Sequence, residues 1–334
     1  MCNLVAARDT LTTQGFVPTG RLRPLDVQRD LLAVADLIAL AFGERLDAEG
    51  HSLIRHMRQA ARDRRFLRWA ARQGEIRGMP LSGYVWEEEG RIVGNLSLIP
   101  MGRGRRRVYL IANVAVHPAR RRQGIARQLV RRALEHVRQR RVTQVWLQVD
   151  VDNRGAVALY EALGFRARHR RRLWRWVGLP DPPQPPGLRL TPLRRRDAQV
   201  QQAWLRQAYP GEIAWFYPLD LPRDLAPTPL GLLRRWLGQR PVRQVAVRGA
   251  DGETLRLSLA RLRTRSAYDA LYLAAPQLPA TEALALAGWA LCQRASQPVL
   301  LEVPFAEDDD RCYPAAGFAL HRDLLWMRWD GALS

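Results

Sequence analysis

The chain contains no lysine. All 53 of its basic residues are arginine, against 32 acidic ones, for a formal net charge of +21. An excess of this size ordinarily points to nucleic acid or an anionic surface. Here, replacement of one basic residue type by the other is what GC-rich coding produces. The arginines are also spread over both halves, with no aromatic platform interleaved among them. Nucleic acid is therefore not the expected partner. Cysteine is scarce as well: Cys2, Cys292 and Cys312 are odd in number and far apart. That pattern excludes a disulfide framework and a zinc site, so a reducing cytoplasm is the expected compartment. No apolar run approaches the roughly 20 residues of a membrane span. The N-terminal MCNLVAARDTLTTQG lacks the basic-then-apolar order of a secretory signal.

What is present is an ordinary globular balance. With 334 residues, 47% hydrophobic and 25% charged, the chain has length for two domains, each with its own core. Residues 178–187, GLPDPPQPPG, hold five prolines and form the clearest boundary, a semi-rigid linker. Residues 1–20 are expected to be a loose arm. Between them, residues 21–177 alternate between periods. RLRPLD is a short strand, and two amphipathic helical regions follow, the second covering 48–73. LSGYVWEEEGRIVGNLSLIPM reads as a hairpin turning at Glu89-Gly90, and YLIANVAV as a further strand. The remainder alternates helix 124–140, strand VTQVWLQV, helix NRGAVALYEALG and strand RRLWRWV. The order β-α-α-β-β-β-α-β-α-β describes an α/β mixed sheet with helices on both faces. Residues 188–334 repeat the end of this series. VLLEV echoes VWLQV, CYPAAGF echoes LYEALGF, and the two Gly-Phe pairs lie 153 residues apart. Three matches in the same order imply a duplicated unit.

The stretch VAVHPARRRQGIARQLV places an arginine and glycine loop between a strand and an amphipathic helix. Backbone N–H groups converge at such a junction, and the helix dipole favours an anion. Gly124 permits close approach, Ala126 does not block it, and Arg121, Arg122 and Arg127 can neutralise a pyrophosphate. The loop is neither a P-loop nor a GxGxxG dinucleotide loop. With the strand before it and Asn153 and ALYEALGF after it, this run resembles the acetyl-CoA-binding core of the GNAT superfamily of N-acetyltransferases. Residues 113–165 are most similar to the ribosomal-protein N-terminal alanine acetyltransferases. The resemblance implies two tandem GNAT-like domains, 21–177 and 188–334, the second degenerate. It implies acetyl-CoA as cosubstrate and a small-molecule or peptide amine as acceptor. Residues Arg121, Arg122, Gln123, Gly124, Ile125, Ala126 and Arg127 would hold the pyrophosphate. The strand Val114, Ala115 and Val116 would run beside the pantetheine arm, with Asn153 near that arm. The strands IANVAV and VTQVWLQV would splay to admit the thioester. Tyr160 would be the general acid that protonates the departing thiolate, and no metal is implied.

The chain departs from the pattern at Gln148, where the alanine acetyltransferases carry a glutamate general base. Asp150 and Asp152 are the nearest substitutes in sequence, read first as turn or cap residues. A non-catalytic acyl-CoA-binding regulator is the rival reading. The second half keeps Glu302 and Tyr313 where the first has Gln148 and Tyr160. It has lost the loop, reading AAPQLPATEALAL, with Thr281 as a candidate helix cap. That half is expected to pack on the first and shape the acceptor pocket. Tandem GNAT architecture also occurs in mycothiol synthases. Glu87, Glu88 and Glu89 read as a solvated hairpin tip, and His51 and His56 as structural. Glu44, Asp47 and Glu49 follow the first helix, on the side that lines the acceptor in this superfamily.

Overall fold

A computed structural model describes residues 20–331, apart from 44–45, 102–107, 141, 143, 232, 234–240, 265, 277–278 and 307–310. Except for Gly20, the expected arm lies outside the described residues, as does Glu44. The first half runs β1 (Arg21–Pro24), α1 (Val27–Phe42), α2 (Ala48–Arg62), α3 (Arg64–Gln73), β2 (Gly83–Glu88), β3 (Arg91–Met101), β4 (Val108–Val116), α4 (Ile125–Gln139), β5 (Gln144–Asp150), α5 (Arg154–Glu161) and β6 (Phe165–Trp176). The second runs β7 (Arg189–Thr191), α6 (Ala198–Ala208), α7 (Leu221–Asp224), β8 (Val242–Arg248), β9 (Leu255–Leu262), β10 (Asp269–Ala274), α8 (Thr281–Cys292), β11 (Val299–Pro304), α9 (Cys312–Ala315) and β12 (Phe318–Trp329). The helical region read over 48–73 is two helices. Asp63 leaves helical angles, and its carboxylate accepts from the N–H of Arg65 and Phe66, capping α3.

These strands join one mixed sheet in the order β1-β2-β3-β4-β5-β12-β6-β11-β10-β9-β8-β7. β4–β5 and β10–β11 pair in parallel, one pair in each half. The two halves do not merely pack together. β12 lies beside β5, and β6 lies beside β11, so each half's last strand completes the other half's sheet. Between them β6 and β12 pair antiparallel, with Arg171 opposite Leu324. Those two residues are also equivalents at the 153-residue repeat, so a local two-fold axis passes through them. β6 carries an extra residue at Arg168 and β12 one at His321, again 153 apart. Duplication is therefore legible in the irregularities of the sheet as well as in its strands.

On one face of the first half, α4 and α5 bury Ile125, Leu129, Val130, Ala133, Leu134 and Tyr160 against β2–β5. On the other, α1–α3 bury Leu31, Val34, Ile38 and Ile54 against Val85 and Ala115. Gly94 seats α4: a β-carbon there would lie 2.8 Å from Ile125 Cγ2 and 2.9 Å from Trp86 Cβ. A third core draws on both halves, with Trp146 and Trp326 from the sheet packed beneath Leu205, Tyr209 and Tyr217. Among the described residues no helix is long and apolar enough to cross a membrane.

Candidate active site

The site begins with a defect in β4. Backbone pairing with β5 runs from Val108–Gln144 to Ile111–Leu147 and then stops, although both strands continue. The register against β3 is irregular between Asn95 and Ser97, where Asn113 stands at φ 51°. Asn95 Nδ2 donates to the Asn113 carbonyl (2.9 Å), and Asn113 Nδ2 donates to Ser97 Oγ (3.2 Å), which holds the bulge. A bulge bends its strand, so β4 leaves β5 and opens a slot beside Val114, Ala115 and Val116. Neither Asn95, Asn113 nor Ser97 was singled out from the sequence. An asparagine in the otherwise apolar YLIANVAV is the signal that was there to read.

Beyond β4 the chain turns through Pro118–Arg120 and enters α4 at Gly124, whose φ of 80° and ψ of −1° are left-handed. No side chain caps this helix. The first-turn N–H groups of Ile125, Ala126 and Arg127 have no intrahelical acceptor, as at every helix start. Arg122, at φ 65°, is also left-handed, a cost of about 1–3 kcal/mol of the kind found at ligand clamps. A β-carbon on Gly124 would meet nothing within 4 Å. The glycine thus leaves an open cradle over the helix terminus.

A cleft of about 960 Å³ links the loop, the slot and α5. It brings together Val114, Ala115, Val116, Arg121, Arg122, Gly124, Ile125, Ala126, Arg127, Asn153 and Tyr160. Gln123 is not in its wall, and its Oε1 is sealed without a partner among the described residues. Among the described residues, four arginines line the cleft and no carboxylate does. They are not equivalent. Arg120 is paired with Glu88 (2.7 Å), and Arg121 donates to the carbonyls of Ala41 (2.7 Å) and Val116 (3.4 Å), tying the loop to α1. Arg122 and Arg127 have no ion-pair or hydrogen-bond partner among the described residues. The Glu87–Glu89 tip is accordingly less solvated than expected, since Glu87 holds Arg23 and Arg29 while Glu89 alone joins Gly90 in the turn.

Asn153 caps α5, accepting from Ala156 N at 3.3 Å through Oδ1, which leaves its amide N–H groups for the cleft. Tyr160, only 7% exposed, packs edge-on against Phe165, with ring centroids 5.8 Å apart. Burial pushes its phenol up to about 12, so it is protonated across the neutral range.

The equivalent slot in the second half is filled by the chain itself. β10 and β11 stop pairing at Leu271–Leu301. Just beyond, the Tyr209 hydroxyl accepts from Leu273 N (3.0 Å) and donates to the Glu302 carbonyl (3.1 Å). The Glu302 carboxylate is held by the buried Arg171 (2.8 Å) and by the Tyr217 hydroxyl (2.9 Å). Tyr313 stacks on Trp174 at 4.9 Å. Thr281 does not cap α8: the cap position is Ala280, without a side-chain bond, and the first turn carries Glu282. A carboxylate at that terminus repels the anion that α4 would attract.

On the far side of the 150–153 turn, a second cleft of about 540 Å³ is lined by Leu46, Asp47, Asp150, Asp152, Leu320, His321, Arg322 and Asp323. Asp47 caps α2 through Gly50 N (2.8 Å) and meets His321 Nε2 at 3.3 Å. The His321 hydrogen bond, with help from Gly50 N and Arg322, lowers the Asp47 carboxyl to about 2. Asp150 is gripped by Arg322, and Asp323 by Arg170 and Arg172. The Tyr268 hydroxyl from the second half reaches Glu49. His51 Nδ1 bonds the Asp47 carbonyl at 2.8 Å, a role internal to the helix.

Residues 48–165 match the acetyltransferase (GNAT) family. The [ribosomal protein bS18]-alanine N-acetyltransferase of Escherichia coli K12 is 42% identical over 60 residues, 18% of this chain and 40% of that protein. The mycothiol acetyltransferase of Thermomonospora curvata is 35% identical over 124 residues, 36% of this chain and 39% of that protein. The chain thus spans about two fifths of these relatives' own length. Two solved structures share the fold along nearly the whole chain. A GCN5-related N-acetyltransferase from Sphaerobacter thermophilus aligns with TM-score 0.57 at 16% identity, covering 93% of this chain and 96% of that one. A tandem GNAT protein from the clavulanic acid biosynthesis pathway aligns with TM-score 0.51 at 17% identity, covering 94% and 99%.

Proposed function

Because the chain carries an acetyltransferase (GNAT) domain over residues 48–165 within a tandem GNAT fold, we propose that it is an acetyl-CoA-dependent N-acetyltransferase. The acceptor would be a primary amine, on a peptide or a small molecule, and the working site lies in the first half. The observation that carries this reading is the cleft that among the described residues holds four arginines, no carboxylate and an uncapped helix start, leading to a protonated tyrosine.

Acetyl-CoA supplies the activated acyl group, a thioester whose carbonyl accepts the amine. Arg122 and Arg127, with the N–H groups of Gly124 to Ala126, hold its pyrophosphate. Arg121 keeps the loop against α1. Val114 to Val116 offer the unpaired β4 edge to the pantetheine amides, as a strand accepts an added strand, and Asn153 donates from the opposite wall. Tyr160 gives its proton to sulfur as the C–S bond breaks, a contribution typically worth about 10²–10⁴ in rate. A phenol at about 12 is a reluctant donor at rest. It acts as negative charge develops on sulfur beside it.

Gln148 motivates the rival, an acyl-CoA-binding regulator without turnover. Calorimetric titration with acetyl-CoA, followed by free-thiol release with a panel of amines, separates the readings. Binding with turnover supports the transferase, and binding without turnover supports the regulator. Failure to bind acetyl-CoA sinks both.

A further inference from the structure

The first half has a proton donor but no base of its own at the expected place, because Gln148 cannot accept a proton. The carboxylates nearby are engaged: Asp150 by Arg322, Asp323 by Arg170 and Arg172, and Glu302 by Arg171 and Tyr217. Asp152 has no such partner among the described residues, so no second side chain holds it in place.

His321 differs from all of these. It is the extra residue of the β12 bulge, and a bulge re-aims a side chain. One ring nitrogen faces Asp47, and the other has no partner among the described residues. An imidazole oriented by a carboxylate on one nitrogen and open on the other is the arrangement of a general base. Its cleft lies across the 150–153 turn from the larger one: Asp152 borders the first and Asn153, the next residue, borders the second. The local two-fold axis adds an independent argument. Arg168, the counterpart of His321, is bonded to Asp330 (2.6 Å). The repeated bulge therefore bears an imidazole bordering a cleft in one half and an arginine tied to Asp330 in the other.

We infer that His321, carried by the last strand of the second half and held by Asp47, is the base that takes the acceptor amine's proton. This rests on the transferase reading above. The amine nitrogen bonds to the thioester carbon and loses a proton to His321. The C–S bond breaks, and sulfur takes the Tyr160 proton. Solvent returns the proton from imidazolium to phenolate, leaving amide and free thiol. The charged groups facing the imidazole are Asp47 from α2, Asp150 and Asp152 from the end of β5, and Arg322 and Asp323 from its own strand.

The test uses the full chain with acetyl-CoA and three probes: an alanine-terminated peptide, glucosamine and spermidine. For the best probe, His321→Gln should lower kcat/KM at least a hundredfold, with the acetyl-CoA Kd within twofold of wild type. The acid limb of the wild-type pH profile should disappear in that variant, and added imidazole should restore part of the turnover of His321→Gly. Asp47→Asn, which keeps the helix cap, should fall about tenfold. Turnover within threefold of wild type with the same acid limb overturns the proposal. So does loss without imidazole rescue and with an unchanged profile, which marks a structural role. Wild-type protein that binds acetyl-CoA yet acetylates none of the probes also overturns it, whereas absence of acetyl-CoA binding defeats the transferase reading instead.

Discussion

Tyr160 and Gly124 line one cleft and fail in different ways when changed. Tyr160 packs its ring on Phe165, and its hydroxyl has no hydrogen-bond partner among the described residues, so losing the oxygen leaves no buried group unpaired. Tyr160→Phe should lower turnover at least tenfold while the acetyl-CoA Kd and the melting temperature stay near wild type. Unchanged turnover would remove Tyr160 from the chemistry. Gly124→Asp places a carboxylate at the uncapped start of α4. Negative charge there favours the helix itself and repels a pyrophosphate. The acetyl-CoA Kd should rise at least tenfold in calorimetry, while the left-handed φ of 80° costs the variant about 1–3 kcal/mol of stability; an unaltered Kd would show that the anion binds elsewhere. The place of the loop between β4 and α4 was legible from spacing and residue type, because a helix start is set by local backbone geometry. The standing of each arginine was not. Only the fold shows that Arg121 spends its hydrogen bonds on α1 and β4 while Arg122 and Arg127 remain available.

At the scale of elements, the two halves differ in the slot between their parallel strands. In the first, the slot depends on the Asn113 bulge. Asn113→Val puts a β-branched residue at φ 51° and removes the bond to Ser97. The expected cost is about 1–3 kcal/mol in denaturant unfolding, with weaker acetyl-CoA binding as β4 is drawn back toward β5. Retained affinity would mean the slot does not depend on the bulge. In the second, Tyr209→Phe strips Leu273 N and the Glu302 carbonyl of a buried partner. That should cost about 1–3 kcal/mol and leave acetyl-CoA binding unaffected. The strand and helix order was readable, because alternation and 3.6-residue spacing are local. The Tyr209 plug was not, since it joins α6 to strands 64 and 93 residues away in sequence.

For the whole molecule, β12 is the strand that neither half can do without. Trp326, Met327 and Trp329 are fully buried between β5 and β6. A chain ending at Gly187 would expose the facing edges of β5 and β6, and unpaired edges aggregate. Residues 1–187 expressed alone should be insoluble, and co-expression with 188–334 should recover soluble protein. A folded, acetyl-CoA-binding fragment 1–187 would refute the requirement. Because the second slot is filled, calorimetry should give one acetyl-CoA per chain; two would contradict it.

The amino-acid sequence by itself determined most of the first half's order of elements, the repeat of its closing strand, helix and strand, and the absence from the second half of an arginine and glycine loop. All of these are short-range patterns or repeats of them. Tertiary structure alone decided that the halves share one sheet by exchanging their last strands. It also decided that Glu302 is spent on Arg171 and that His321 stands beside Asp47, 274 residues away. Strand exchange is invisible to periodicity, because β6 and β12 would read the same whichever β-strand they joined. The partner is set by which edges remain open once both halves have folded against each other.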